Sequence, residues 1–95
     1  MRPVLVVQGQ PLLDAGHPST LILPLTTNLV EDAEPLRVRI GARDKLEQDS
    51  DVLVDQLRAI DNRRLTAGPM TRLSDEQMRR VQRAIVDILE ISFPE

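Results

Sequence analysis

Arg2, Thr26, Thr27 and Asn28 are the residues of this 95-residue chain whose types and spacing best suit phosphate chemistry. Arg2 precedes the run Pro3-Val4-Leu5-Val6-Val7, and the two threonines and the asparagine close the run Leu21-Ile22-Leu23-Pro24-Leu25. Both runs are aliphatic and β-branched, and each is long enough for one strand. Paired antiparallel, the start of the first lies beside the end of the second, so a guanidinium and hydroxyls share one rim. Such a rim can hold a phosphate, because the planar guanidinium matches two phosphate oxygens and keeps its charge. Cutting RNA without a metal asks for this equipment. The 2′-OH must attack its neighbouring phosphate in line, a base must take its proton, and an acid must protonate the departing 5′-oxygen. Donors must also hold the extra charge. Threonines at strand ends and solvated arginines at strand starts are common, so the spacing alone leaves both readings open.

A second unusual stretch is Asp55-Gln56-Leu57-Arg58-Ala59-Ile60-Asp61. Two acids, an amide and an arginine within an extended run are more polar than a core strand tolerates. Asp55 suits a general base or a contact to a base edge, and Gln56 suits a hydrogen bond to an RNA base. The competing reading pairs Arg58 with an acidic neighbour on an exposed face. His17, between Gly16 and Pro18, reads as a solvent-exposed loop histidine, and Arg79, Arg80 and Arg83 read as a solvated helix face.

These residues need elements to place them. Residues 2–8 and 20–25 read as strands, separated by a loop over 9–19 with room for a helical turn around 12–15. An acidic loop over 27–35 leads into 36–40, where Leu36, Val38 and Ile40 alternate with Arg37 and Arg39. The alternation predicts the first three in a core and the arginines outside. Residues 41–50 form a polar connection. Residues 51–60 predict a long strand with a bulge or two-sided burial, since Val52, Leu53 and Val54 are contiguous. A turn at 61–64 follows, then at most short strands over 65–73, split by Gly68-Pro69. Ser74 and Gln77 have the spacing of a capping box, and Leu73 is placed to staple onto Met78. Met78, Val81, Ala84, Ile85, Ile88 and Leu89 then recur at helical spacing, with residues 92–94 ending the helix. The pattern is a single domain over 1–95, with about four antiparallel strands and a C-terminal helix laid on the sheet.

The composition bounds the function. Phe93 is the only aromatic residue, so the core is built from Leu, Val and Ile. That is thin for so short a chain, and a homodimer would supply burial. With no Cys and one His, disulfides, thiol catalysis and a structural zinc site are set aside. No apolar run approaches the ~20 residues that span a bilayer. The start of the chain does not read as a secretory signal, so a cytoplasmic protein is expected. A formal charge of −3 argues against broad nucleic-acid binding through a basic surface, though not against a local basic cleft.

The order of these motifs resembles the MazF/PemK (Kid) toxins of bacterial type II toxin–antitoxin systems. The landmarks are Arg2-Pro3-Val4-Leu5-Val6-Val7, Leu23-Pro24-Leu25-Thr26-Thr27-Asn28, and Val54-Asp55-Gln56-Leu57-Arg58-Ala59-Ile60-Asp61. Arg63-Arg64-Leu65 and a capped C-terminal helix follow. The resemblance implies a mainly β fold, an SH3-like barrel with a C-terminal helix, and a homodimer. It also implies a metal-independent, sequence-selective endoribonuclease that cuts single-stranded RNA without a cofactor, and a cognate antitoxin protein that blocks its RNA groove. Arg2 and Thr26 match the family's catalytic arginine and threonine, and Asp55 matches the aspartate proposed as base in the Kid branch. Leu53 stands where that branch has an arginine. Thr27, Asn28, Gln56 and Arg58 are the accompanying candidate RNA contacts. Relative to the family pattern the chain reads as short at its front, lacking a first strand and loop. The CcdB-like toxins, which share the barrel and poison DNA gyrase without cutting RNA, are the alternative class. An inactive relative that only binds antitoxin is the third.

Overall fold

The computed structural model describes residues 3–7, 9, 11, 14–65 and 68–90 of the chain. Five strands follow in order: β1 (Val4–Val6), β2 (Ser19–Thr26), β3 (Arg37–Ile40), β4 (Ser50–Leu53) and β5 (Arg58–Asp61). Helix α1 (Asp75–Leu89) closes the described chain. All pairings are antiparallel. The ladder order is β1-β2-β4-β3, with β5 also on β2. The antiparallel sheet with a C-terminal helix is the expected barrel-like arrangement, and among the described residues the ladder does not close on itself.

β2 organises the sheet. Its inner residues Ile22, Leu23, Pro24 and Leu25 are all buried, which is why this stretch shows no period-2 alternation. Along one side it pairs with β1, Val4 opposite Pro24 and Val6 opposite Ile22. Along the other side Ser19 to Ile22 pair with β5, and Leu25 and Thr26 pair with β4. Between those two stretches Leu23 and Pro24 have no partner on that side. Pro24 has no N–H to donate, and there the expected long strand breaks into β4, a 3-10 turn (Val54–Gln56) and β5. Asp55 and Gln56 thus lie on a turn, not in a strand.

The core joins Leu23, Leu25, Val38, Ile40 and Val52 of the sheet, Leu46 of the β3–β4 connection and Val54 of the 3-10 turn to Val81 and Ala84 of α1, with Leu5, Val7, Leu73, Ile85 and Ile88 around them. The helix begins as expected. The Ser74 hydroxyl accepts from Gln77 N–H at 3.1 Å, and Gln77 Oε1 accepts from Ser74 N–H at 3.0 Å. It ends at Glu90, in the left-handed region with φ 53°. The expected stop at residues 92–94 and the aromatic Phe93 lie outside the described residues.

Two expectations are corrected. Leu36 is not a core residue: it precedes β3 in a turn and is 52% exposed. Arg37 and Arg39 do not simply face water, since both reach a buried carboxylate on β4. In the linker, the helical turn expected around 12–15 is represented by one bond, Ala15 N–H to the Pro11 carbonyl at 3.1 Å. Leu12 and Leu13 are outside the described residues. No strand appears among the described residues of 65–73.

Candidate active site

A cleft of about 540 Å³ opens at the end of β2. Thr26, Thr27 and Asn28 form one wall, with Pro3 from the segment before β1 beside them. Leu25 N–H donates to the Pro3 carbonyl at 3.1 Å, so the register expected between the first two strands is the register found. Arg2 lies outside the described residues; it directly precedes Pro3 in the chain. The opposite wall comes from the β3–β4 connection and Met70. There Lys45 is the only cation and Glu47 the only carboxylate among the described lining residues.

Thr26 is half-buried, and its Oγ1 accepts from Asn28 N–H at 3.1 Å. This local turn ends the strand and fixes the hydroxyl oxygen, while its O–H proton stays available for donation. Thr27 and Asn28 are exposed. The facing loop is shaped by its own backbone. Arg43 and Leu46 exchange two 2.8 Å bonds, Asp44 takes a φ of 51°, and Asp49 accepts from Ala42 N–H at 2.7 Å. Three further bonds fasten the loop to the start of the helix and the segment before it: Arg43 to Gln77 Oε1 (2.7 Å), the Thr71 hydroxyl to Asp44 (2.5 Å), and Lys45 N–H to the Met70 carbonyl (3.3 Å). By sequence, residues 41–50 are a plain polar connection. Nothing in their order marks Lys45 as a cleft residue, since the tie to Met70 is long-range.

Beside Thr26 lies an ion cluster built on one buried carboxylate. Asp51 is 1% exposed and sits opposite Thr26 in the β2–β4 ladder and opposite Arg39 in the β3–β4 ladder. Arg39 Nε donates to Asp51 Oδ1 at 2.5 Å, Arg37 Nη1 donates to Oδ2 at 3.3 Å, and Val30 N–H donates to Oδ2 at 2.9 Å. Burial pushes the Asp51 carboxyl up. The hydrogen bonds from Arg39, Val30 N–H and Arg37 outweigh it together, holding the group below its ordinary value. Arg37 also donates to the Asn28 carbonyl at 2.9 Å, and Arg39 to the Val30 carbonyl at 3.3 Å and to Glu31 at 3.2 Å.

The other sequence candidates lie elsewhere. Asp55 and Gln56 are exposed on the turn between β4 and β5, and Arg58 is exposed at the start of β5 opposite Ile22. None of the three lines the cleft. Leu53 is largely buried in β4. Asp61 pairs with Arg63, whose hydrogen bonds hold the Asp61 carboxyl below its ordinary value, and Arg58 is in none of the ion pairs found among the described residues. His17 is exposed, with its Nδ1 2.8 Å from the Ser19 carbonyl oxygen. On α1, Arg80 pairs with Glu34 and Arg83 with Asp87. Among the described residues no group of three or more His, Cys, Asp or Glu side chains could hold a metal ion, and no helix is long and apolar enough to cross a membrane.

A small bent sheet with one capped helix, and a hydroxyl-lined cleft at the end of its central strand, defines the class. The family model for PemK-like, MazF-like toxins of type II toxin–antitoxin systems matches residues 1–89. Endoribonuclease EndoA of Bacillus subtilis is 37% identical over 89 residues, covering 90% of this chain and 72% of the relative. The chain belongs to the PemK/MazF toxin family. Its fold is shared with toxin MazF-mt6 of Mycobacterium tuberculosis, with a TM-score of 0.78 at 22% identity, covering 97% of this chain and 89% of that one. It is shared too with the MazE–MazF complex of Deinococcus radiodurans, with a TM-score of 0.77 at 21% identity, covering 96% and 87%.

Proposed function

We propose that this protein is the toxin of a type II toxin–antitoxin pair and cuts single-stranded RNA without a metal. The observation that carries the reading is the cleft at the end of β2, where Thr26 and Pro3 meet, on a chain 37% identical to an endoribonuclease. Arg2, next to Pro3, is assigned to the phosphate, where its guanidinium stabilises the charge that builds up in the transition state. Thr26 donates to the same phosphate or orients the 2′-OH. The oxygen of the 2′-OH bonds to phosphorus as the bond from phosphorus to the 5′-oxygen breaks. The 2′-OH proton passes to a base and the departing 5′-oxygen takes one up, leaving a 2′,3′-cyclic phosphate and a 5′-hydroxyl.

Thr27 and Asn28 on the wall are assigned to the RNA strand. Asp55 is the base by family resemblance. Its place off the cleft fits it better, with Gln56 and Arg58, to holding RNA on the flank, and leaves Glu47 as the carboxylate on the cleft wall. The chain is read as one domain that works in the cytoplasm as a homodimer. Exposed apolar side chains such as Leu21, Val30 and Leu36 (40, 47 and 52% exposed) support a partner surface. A cognate antitoxin is the expected protein partner, as in the MazE–MazF complex that shares the fold.

The test is incubation of the purified chain with single-stranded RNA in EDTA. A 2′,3′-cyclic phosphate product is expected. Intact RNA together with gyrase-dependent DNA breaks would move the protein to the gyrase-poison class, and antitoxin binding with neither would leave a non-cutting relative.

A further inference from the structure

The segment from Thr26 to Val30 belongs to no ladder after its first residue, yet its backbone is not left to water. The Asn28 N–H is bound by Thr26 Oγ1, the Asn28 carbonyl by Arg37, the Val30 N–H by Asp51 and the Val30 carbonyl by Arg39. Four backbone groups of this segment, two of them on the cleft wall at Asn28, are thus held by side chains, and three of the four bonds come from one ion cluster on β3 and β4. The cluster is itself fixed, because Asp51 is buried and its two oxygens are both engaged. A carboxylate taken out of water at this depth requires such partners, so the two arginines cannot swing away without leaving it unpaired.

We propose that Arg37, anchored by Asp51, is a positioning residue that sets where Thr26, Thr27 and Asn28 stand in the cleft. The proposal rests on the ribonuclease reading for its effect on rate, and on geometry alone for its effect on the loop. A single nitrogen does the work: Arg37 Nη1 donates both to the Asn28 carbonyl (2.9 Å) and to Asp51 Oδ2 (3.3 Å). A lysine ammonium, with three protons on one nitrogen, can serve the same two acceptors. A methionine, similar in length and uncharged, cannot.

The experiment compares the wild-type chain with Arg37→Met, Arg37→Lys and Val81→Ala. Val81→Ala loosens the core under the helix and serves as the control for lost stability alone. Each is assayed with a short single-stranded RNA in EDTA, well below its unfolding midpoint. Arg37→Met is expected to lower kcat by about tenfold to a hundredfold through misplacement of the wall, with KM changed far less. Arg37→Lys should recover most of that loss, and Val81→Ala should keep kcat. A wild-type kcat in Arg37→Met, or an Arg37→Lys protein as slow as Arg37→Met, overturns the proposal.

Amide hydrogen exchange read by NMR supplies an arm that needs no activity. Asn28 and Val30 should exchange faster in Arg37→Met and slow again in Arg37→Lys; unchanged exchange at both amides overturns the positioning role. A wild-type chain inert towards RNA removes the ribonuclease reading alone, and the exchange result then decides this one.

Discussion

Thr26 and Asp51 are direct partners across the β2–β4 ladder, and Arg39 faces Asp51 from the next strand. Cross-strand partners project to the same side of a sheet. A hydroxyl, a buried carboxylate and a guanidinium therefore form one row, on the opposite side from the Leu25, Val52 and Val38 row that belongs to the core. One side of the sheet is thus apolar and belongs to the core, and the other carries the charged row, with Thr26 at its end.

Replacing Thr26 with valine keeps shape and volume and removes the hydroxyl. The loss of one transition-state donor is expected to lower the cleavage rate about 10²-fold or more. Loss of the bond to Asn28 N–H should lower stability by about 1 kcal/mol. Single-turnover cleavage and thermal unfolding of Thr26→Val measure the two effects, and an undiminished rate would take Thr26 out of the mechanism.

Arg2→Ala should abolish cleavage with an unchanged circular dichroism spectrum, because a permanently charged fork is what the phosphate site asks for. Arg2→Lys should remain well below wild type, since a point charge does not reproduce the two-oxygen contact. Cleavage by Arg2→Ala at the wild-type rate would assign the phosphate to another cation.

Lys45 tests the far wall. As the only cation among the described lining residues, it is expected to neutralise one phosphate of the bound strand. Lys45→Ala should raise KM for all RNA sequences alike and reduce the slope of log affinity against log salt by about 0.7. An unchanged slope would place the RNA backbone away from this loop.

Asp51 sets an acid limit. Its carboxyl lies below the ordinary value in the folded protein, so the stability it contributes is fully present above the ordinary carboxylate range near 3.8. That contribution is lost as pH falls through the lower, folded value. Asp51→Ala should cost about 3 kcal/mol at pH 7, the lower end for breaking a buried ion pair, since both arginines keep some access to water. Urea unfolding at pH 7 and again at successively lower pH should show the gap between wild type and Asp51→Ala constant down to about pH 5 and closing below pH 4. A gap independent of pH would show that the carboxylate charge is not what holds the cluster.

Ser74→Ala removes one half of the capping box and should lower stability by about 1 kcal/mol. Gln77→Ala should cost more and also raise KM. The same Oε1 that caps the helix accepts from Arg43 at 2.7 Å and holds the loop carrying Lys45. Equal effects of the two variants on KM would detach the helix cap from the cleft.

The capped helix and the first two strands were determined by the sequence itself, for a local reason. Ser74 and Gln77 meet within one turn, apolar residues at helical spacing need one buried face, and aliphatic runs ending in polar residues suit strands. The row of Thr26, Asp51 and Arg39 was decided only by the tertiary structure. In the sequence Asp49 and Asp51 are two acids of one cluster. Strand register leaves Asp49 on a loop, capping Ala42, and puts Asp51 under two arginines whose alternation had marked them for solvent. Likewise the missing N–H of Pro24 is written in the chain, but its effect appears only once β4 and β5 come alongside and must part there, which carries Asp55 onto a turn away from the cleft. Pairing partners at least twelve residues apart set both outcomes, and no local pattern encodes which residue of one strand will stand opposite which residue of another.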